Sequence, residues 1–180
     1  NKEATLTAAD IINDYEKEDL EKILRIYGEV DNARKMAQLI TSARANAKIT
    51  TTGELDKVLE PVLPSFASHK ILAKVYQALR IEVNHEMRSL EKFLYGAAES
   101  LKEGGRLSVI TYHSLEDRMV KNFIKSGNIH GEQEKDFYGN IIAPLKALYR
   151  KPILPQESEI AENTRARSAK LRVAEKEAQK

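Results

Sequence analysis

The stretch GGRLSVITYHSLEDRMVKNFIK, Gly104–Lys125, decides the reading of this chain. Gly104-Gly105 ends a helix and permits positive φ at the turn. Leu107, Val109 and Ile110 then predict a short, buried, β-branched strand. Ser114 and Asp117 have capping-box spacing, with Asp in place of the usual Glu, and predict a helix from that point. The order is turn, strand, polar cluster, helix. Tyr112, His113, Ser114, Glu116, Asp117 and Arg118 therefore fall at the carboxyl end of a strand, where ligands sit in open α/β sheets. Capping explains Ser114 and Asp117 and leaves His113, Glu116 and Arg118 in the same turn unaccounted for.

Upstream, residues 1–68 read as helical. Thr7 caps a helix that opens with Ala8, Ala9 and Asp10. Leu20, Ile23, Leu24 and Tyr27 follow at helical spacing until Gly28. Met36, Leu39 and Ile40 give a second apolar face, and Thr52 starts a third helix that Pro61 and Pro64 stop. Such a bundle suits recognition or scaffolding better than catalysis. From His69, Val75, Leu79, Val83, Met87, Leu90, Leu94 and Leu101 predict one long or bent amphipathic helix. Gln77, Arg80 and Asn84 share another face, either hydrated or lining a cleft.

Downstream, glycines and prolines between residues 126 and 156 predict an extended loop with at most a short strand. Ala169, Leu171 and Val173 alternate with Lys170 and Arg172, predicting a strand with one buried and one basic face. Arg165 and Arg167 lead into it.

Composition sets the outer limits. The chain has 180 residues, 42% hydrophobic and 31% charged, an ordinary globular balance. No apolar run nears the roughly 20 residues of a membrane span, and a cytoplasmic location is expected. The chain has no cysteine, which excludes disulfides and thiolate catalysis. Net charge is +2 but uneven: residues 1–31 hold nine acids against four bases, and Lys146 onward holds nine bases against five acids. Basic zones of this kind meet phosphate backbones or form solvated helix faces.

Several chemistries fit poorly. Ser114 beside His113 lacks a nucleophile-elbow pattern. Four histidines without HxH or HxxxH spacing do not suggest zinc. Neither GxGxxG nor GxxxxGK[ST] occurs, so a nucleotide-like cofactor has no loop in this sequence.

The segment GGRLSVITYHSLEDRMVKNF, with YQALRIEVNHE before it and NTRARSAKLRVAEK after it, resembles the MraW/RsmH family. These S-adenosylmethionine-dependent methyltransferases modify the N4 amine of a cytosine in 16S rRNA. LTAADIINDYEKEDLEKILRIYGE and KITTTGEL resemble the family's helical insert. Tyr112 stands where the family commonly has Phe, and Thr164 where it commonly has Pro.

The resemblance implies an α/β protein made of a helical insert domain (1–68) and the C-terminal part of a Rossmann-like class I methyltransferase sheet (69–180). It implies that the S-adenosylmethionine site and the main catalytic segment lie upstream of Asn1, so this chain alone is expected to be inactive. It also implies 16S rRNA or the small ribosomal subunit as partner. Tyr112, His113, Ser114, Glu116, Asp117, Gln77, Arg80 and Asn84 are then candidates for the substrate base. Arg118, Arg165, Arg167 and Lys170 are candidates for RNA phosphate. A strand at Leu107–Tyr112 lacking half its sheet would carry an unpaired edge, compatible with a homodimer. The competing reading is a freestanding RNA- or protein-binding helical module without catalysis.

Overall fold

The computed structural model describes residues 6–177. The chain packs as two compact units, Asn1–Glu86 and Met87–Lys180. The 68/69 division expected from the sequence concerns where an insert joins its parent sheet, and it stays a proposal.

The first unit is helical: α1 (Ala8–Asp14), α2 (Lys17–Ile26), α3 (Ala33–Arg44), α4 (Thr52–Leu59) and α5 (Ser68–Asn84). Thr7 and Asp10 form a full capping box on α1. Thr51 and Glu54 do the same for α4, which starts at Thr52 as expected. Pro61 follows in a short 3-10 turn, Glu60–Val62, where the helix stops. Gly28 lets α2 end tightly, because a Cβ there would sit 2.7 Å from the Leu24 carbonyl oxygen. Leu20, Leu24, Met36, Ile40, Leu59 and Val75 are fully buried and hold the bundle together.

Polar side chains tie its loops. The Asn13 amide donates to the Ile49 carbonyl at 2.7 Å and accepts the Ile49 N–H at 3.0 Å. The Arg44 guanidinium donates to the carbonyls of Ile12 (2.8 Å) and Tyr15 (2.6 Å) at the end of α1. Arg44 is thus spent on the fold.

The long or bent helical segment expected from His69 is two helices. His85, at φ 49°, closes α5 in the left-handed region. The next helix, α6 (Glu86–Ser100), begins immediately. The apolar stripe divides with it: Val75, Leu79 and Val83 serve the first core, Leu90, Leu94 and Leu101 the second.

The second unit contains β1 (Arg106–Thr111), α7 (Ser114–Ser126), β2 (Leu145–Ala147), α8 (Glu157–Glu162) and β3 (Lys170–Lys176). Among the described residues the sheet order is β1-β3-β2, with both pairings antiparallel. Leu107, Val109, Val120, Phe123, Ile124, Leu145 and Ala174 form the core.

Two expectations about these strands need correction. β1 alternates instead of being buried throughout, and Ile110 is 57% exposed. In β3 the residue in phase with Lys170 and Arg172, Ala174, is the fully buried one. The supposed basic face is therefore the inner face, and Leu171 and Val173 lie on the half-exposed side. Pairing, not solvent, accommodates the charges.

Candidate functional site

The turn after β1 is built by reciprocal capping. His113, not Ser114, is the N-cap of α7, and its Nδ1 accepts the Glu116 N–H at 3.3 Å. The Glu116 carboxylate turns back and accepts the Tyr112 N–H at 2.9 Å. The expected Ser114–Asp117 box is displaced by one residue, because His113 already has the extended backbone of an N-cap. With Nδ1 accepting, the proton of the neutral ring resides on Nε2, which lies 3.4 Å from Glu116 Oε1. His113 and Glu116 therefore form one braced unit, while Tyr112 is 55% exposed beside it. Ser114 and Arg118 are exposed on the first turns of α7.

Asp117 points to the sheet. Arg172 of β3 donates to it twice, Nε to Oδ1 at 2.7 Å and a terminal nitrogen to Oδ2 at 3.2 Å. Lys170 adds a contact at 3.4 Å. Burial by itself would raise the Asp117 pKa. The hydrogen bond and charge of Arg172, helped by Lys170, outweigh it and hold the carboxyl below its ordinary range. The side chains of Asp117 and Arg172 are 13% and 12% exposed, so this bidentate pair is largely shielded from solvent. It fixes the start of α7 against β3.

The row on α5 separates into roles. Gln77 donates to the Tyr27 carbonyl at 3.0 Å, a bracing contact inside the bundle. Arg80 grips the Glu86 carboxylate with Nε (2.9 Å) and a terminal nitrogen (3.1 Å), and Asn84 donates to the same group at 3.2 Å. Arg80 and Asn84 also line a cavity of about 310 Å³ with Ile12, Ile49, Tyr76 and Val83. The Tyr76 hydroxyl is held by Asp56 at 2.5 Å. Burial and that carboxylate push the phenol pKa up. The site within this unit is thus an apolar cavity with a small polar rim.

Arg165 and Arg167 lie exposed on a 3-10 turn, Thr164–Ser168, anchored by buried Ala166. Asn163 caps that turn by accepting the Arg165 N–H at 3.1 Å. The two guanidinium groups are presented outward, whereas Lys170 is shared with Asp117. Sequence reasoning missed Arg172 and Glu86. The alternation in β3 contained Arg172 but suggested the wrong face, and nothing local signalled the clamp on Glu86.

S-adenosylmethionine needs an acid for its ribose hydroxyls beside an apolar adenine slot. The residues lining the described cavity include no carboxylate. They do not fit that group.

A class follows from comparison with known proteins. The model of the MraW methylase family matches residues 1–177, and the chain belongs to that family. It is 53% identical over 176 residues to a Bacteroides fragilis protein named ribosomal RNA small subunit methyltransferase H, covering 98% of this chain. A protein of the same name from Bacteroides thetaiotaomicron is 54% identical over 176 residues, again 98% of this chain. One from Flavobacterium psychrophilum is 52% identical over 98% of the chain. The chain spans 58% of the length of the two Bacteroides relatives and 60% of the third.

Proposed function

We propose that this chain is the helical module and C-terminal sheet portion of an enzyme that methylates 16S rRNA at N4 of a cytosine. The observation that carries the reading is the family match along residues 1–177, joined to the braced Tyr112–Asp117 turn at the end of β1. In this reading S-adenosylmethionine supplies the methyl group and is held by the part of the relatives' length that this chain does not span. The sheet supports that division. β1 has β3 as its one described neighbour, and Ile110 lies open on the face away from the core. Further strands and a covering layer would complete it. Among the described residues no helix is long and apolar enough to cross a membrane. In this reading the enzyme acts in the cytoplasm on the small ribosomal subunit.

The chain's own residues bind and orient. A cytosine amine needs to be unstacked and aimed at the methyl carbon, and orientation supplies much of the rate. Tyr112 offers a ring face, and the Glu116 carboxylate, braced by His113, offers an acceptor for a base edge. Asp117, through Arg172 and Lys170, positions that turn. Arg165 and Arg167 bind phosphate.

A chimera tests the assignment: the Bacteroides fragilis protein with its matching region replaced by this chain, given small subunits and S-adenosylmethionine. Nucleoside mass spectrometry should find N4-methylcytidine; methylation elsewhere, or none, overturns the reading. Replacing Arg165 and Arg167 with Ala together should flatten the logarithmic salt dependence of RNA binding by about one for each phosphate no longer neutralised. An unchanged slope removes them from the interface.

A further inference from the structure

We propose that the cavity between the ends of α2 and α5 binds the guanidinium group of an arginine presented by a protein partner. It measures about 180 Å³, and its lining includes Tyr15, Asp19, Lys22, Ile23, Tyr27 and Glu82. All of these residues lie in the first unit.

The polar groups of the cavity are set for a cation. The Tyr15 hydroxyl donates to Glu82 Oε1 at 2.8 Å, which leaves Oε2 open to a second donor. Burial, then the Glu82 carboxylate, pushes the Tyr15 phenol up to about 12, and the same two causes raise Tyr27. Both phenols therefore stay neutral at physiological pH. The helices add to the negative field. α2 and α5 both end here, and a helix C-terminus acts as about −0.5 of an elementary charge. The last turn of α5 holds no base, and Arg25 in the last turn of α2 is paired with Glu21. Lys17, at the start of α2, is paired with Glu18. Among the described residues neither Asp19 nor Glu82 has an ion-pair partner. Lys22 is the one base among the described residues of the lining. It is exposed, where water screens its charge, whereas Glu82 is half-buried. The acid excess of residues 1–31, nine acids against four bases, has the same sign.

This chemistry selects the partner. A phosphate backbone is repelled by two helix C-termini and two carboxylates, so the occupant is not the RNA strand. Arginine suits the lining better than lysine does. Its planar guanidinium is weakly hydrated, stacks on aromatic rings and donates in pairs to one carboxylate. Ile23 and Ile26 offer apolar walls for the methylene stem. The inference does not rest on the RNA reading above, and either can fail without the other.

The test is a titration of the parent chain with N-acetyl-arginine amide, followed by NMR. Saturable shifts should centre on Tyr15, Tyr27 and Glu82. The neutral isostere N-acetyl-citrulline amide should give none, and N-acetyl-lysine amide should bind more weakly. Glu82→Gln should weaken binding of the arginine probe at least about tenfold, the size of a hydrogen bond to a charged group. Asp19→Asn, exposed at the entrance, should weaken it about twofold. Circular dichroism of both variants should match the parent. Should Glu82→Gln fail to fold, the citrulline comparison and Asp19→Asn decide the matter. Equal shifts from citrulline amide, shifts spread evenly along α1 and α2, or full affinity in a folded Glu82→Gln would overturn the site. Equally tight binding of the lysine probe would overturn guanidinium recognition.

Discussion

At the scale of single residues, Asp117 and Arg172 show how pairing positions the turn after β1. Arg172→Met should lower stability by about 2 kcal/mol, the range of hydrogen bonds to charged groups. Because Asp117 is held below its unfolded pKa, its contribution is fully present above the ordinary carboxylate range, about pH 4. It fades as pH falls through the lower folded value. Denaturant titrations should therefore show the gap between parent and variant closing in acid; a gap independent of pH would mean that Arg172 acts by packing. The cap gives a second test. His113→Ala should cost about 1 kcal/mol, and His113→Asn, another N-cap acceptor, should recover most of it. If Asn restores the thermal midpoint but not methyl transfer in the chimera, the imidazole has a role beyond capping.

At the scale of elements, the junction between α5 and α6 separates what was legible from what was not. The apolar spacing of Val75 through Leu101 correctly announced helix, and Thr7, Gly28 and Pro61 correctly announced helix ends. The break at His85 carried no such signal, since left-handed caps usually use Gly or Asn. His85→Gly should be neutral or slightly stabilising, while His85→Val, β-branched at positive φ, should cost at least about 1 kcal/mol. Thermal melts of the two variants distinguish a true left-handed cap from a continuous helix, for which Gly would be the worse residue. The strands failed in the same way. Alternation in β3 was readable, but which face is inner depends on Asp117, 55 residues away. The cap moved from Ser114 to His113 because a histidine nitrogen replaced the expected hydroxyl.

At the scale of the whole molecule, motif order made the family legible, whereas the working site was legible only in part. His113, Glu116 and Asp117 do gather in one turn, but through hydrogen bonds that spacing did not reveal, and Gln77 is a brace in the bundle. The proposed function divides the labour: this chain would handle RNA, and the part of the relatives' length that it does not span would bind the methyl donor. A calorimetric titration of S-adenosylmethionine into this chain, alone and then within the chimera, tests that division. The chain alone should give no binding heat, and the chimera should give saturable one-site binding. Tight binding by the chain alone would place the donor site among the residues described above and refute the division.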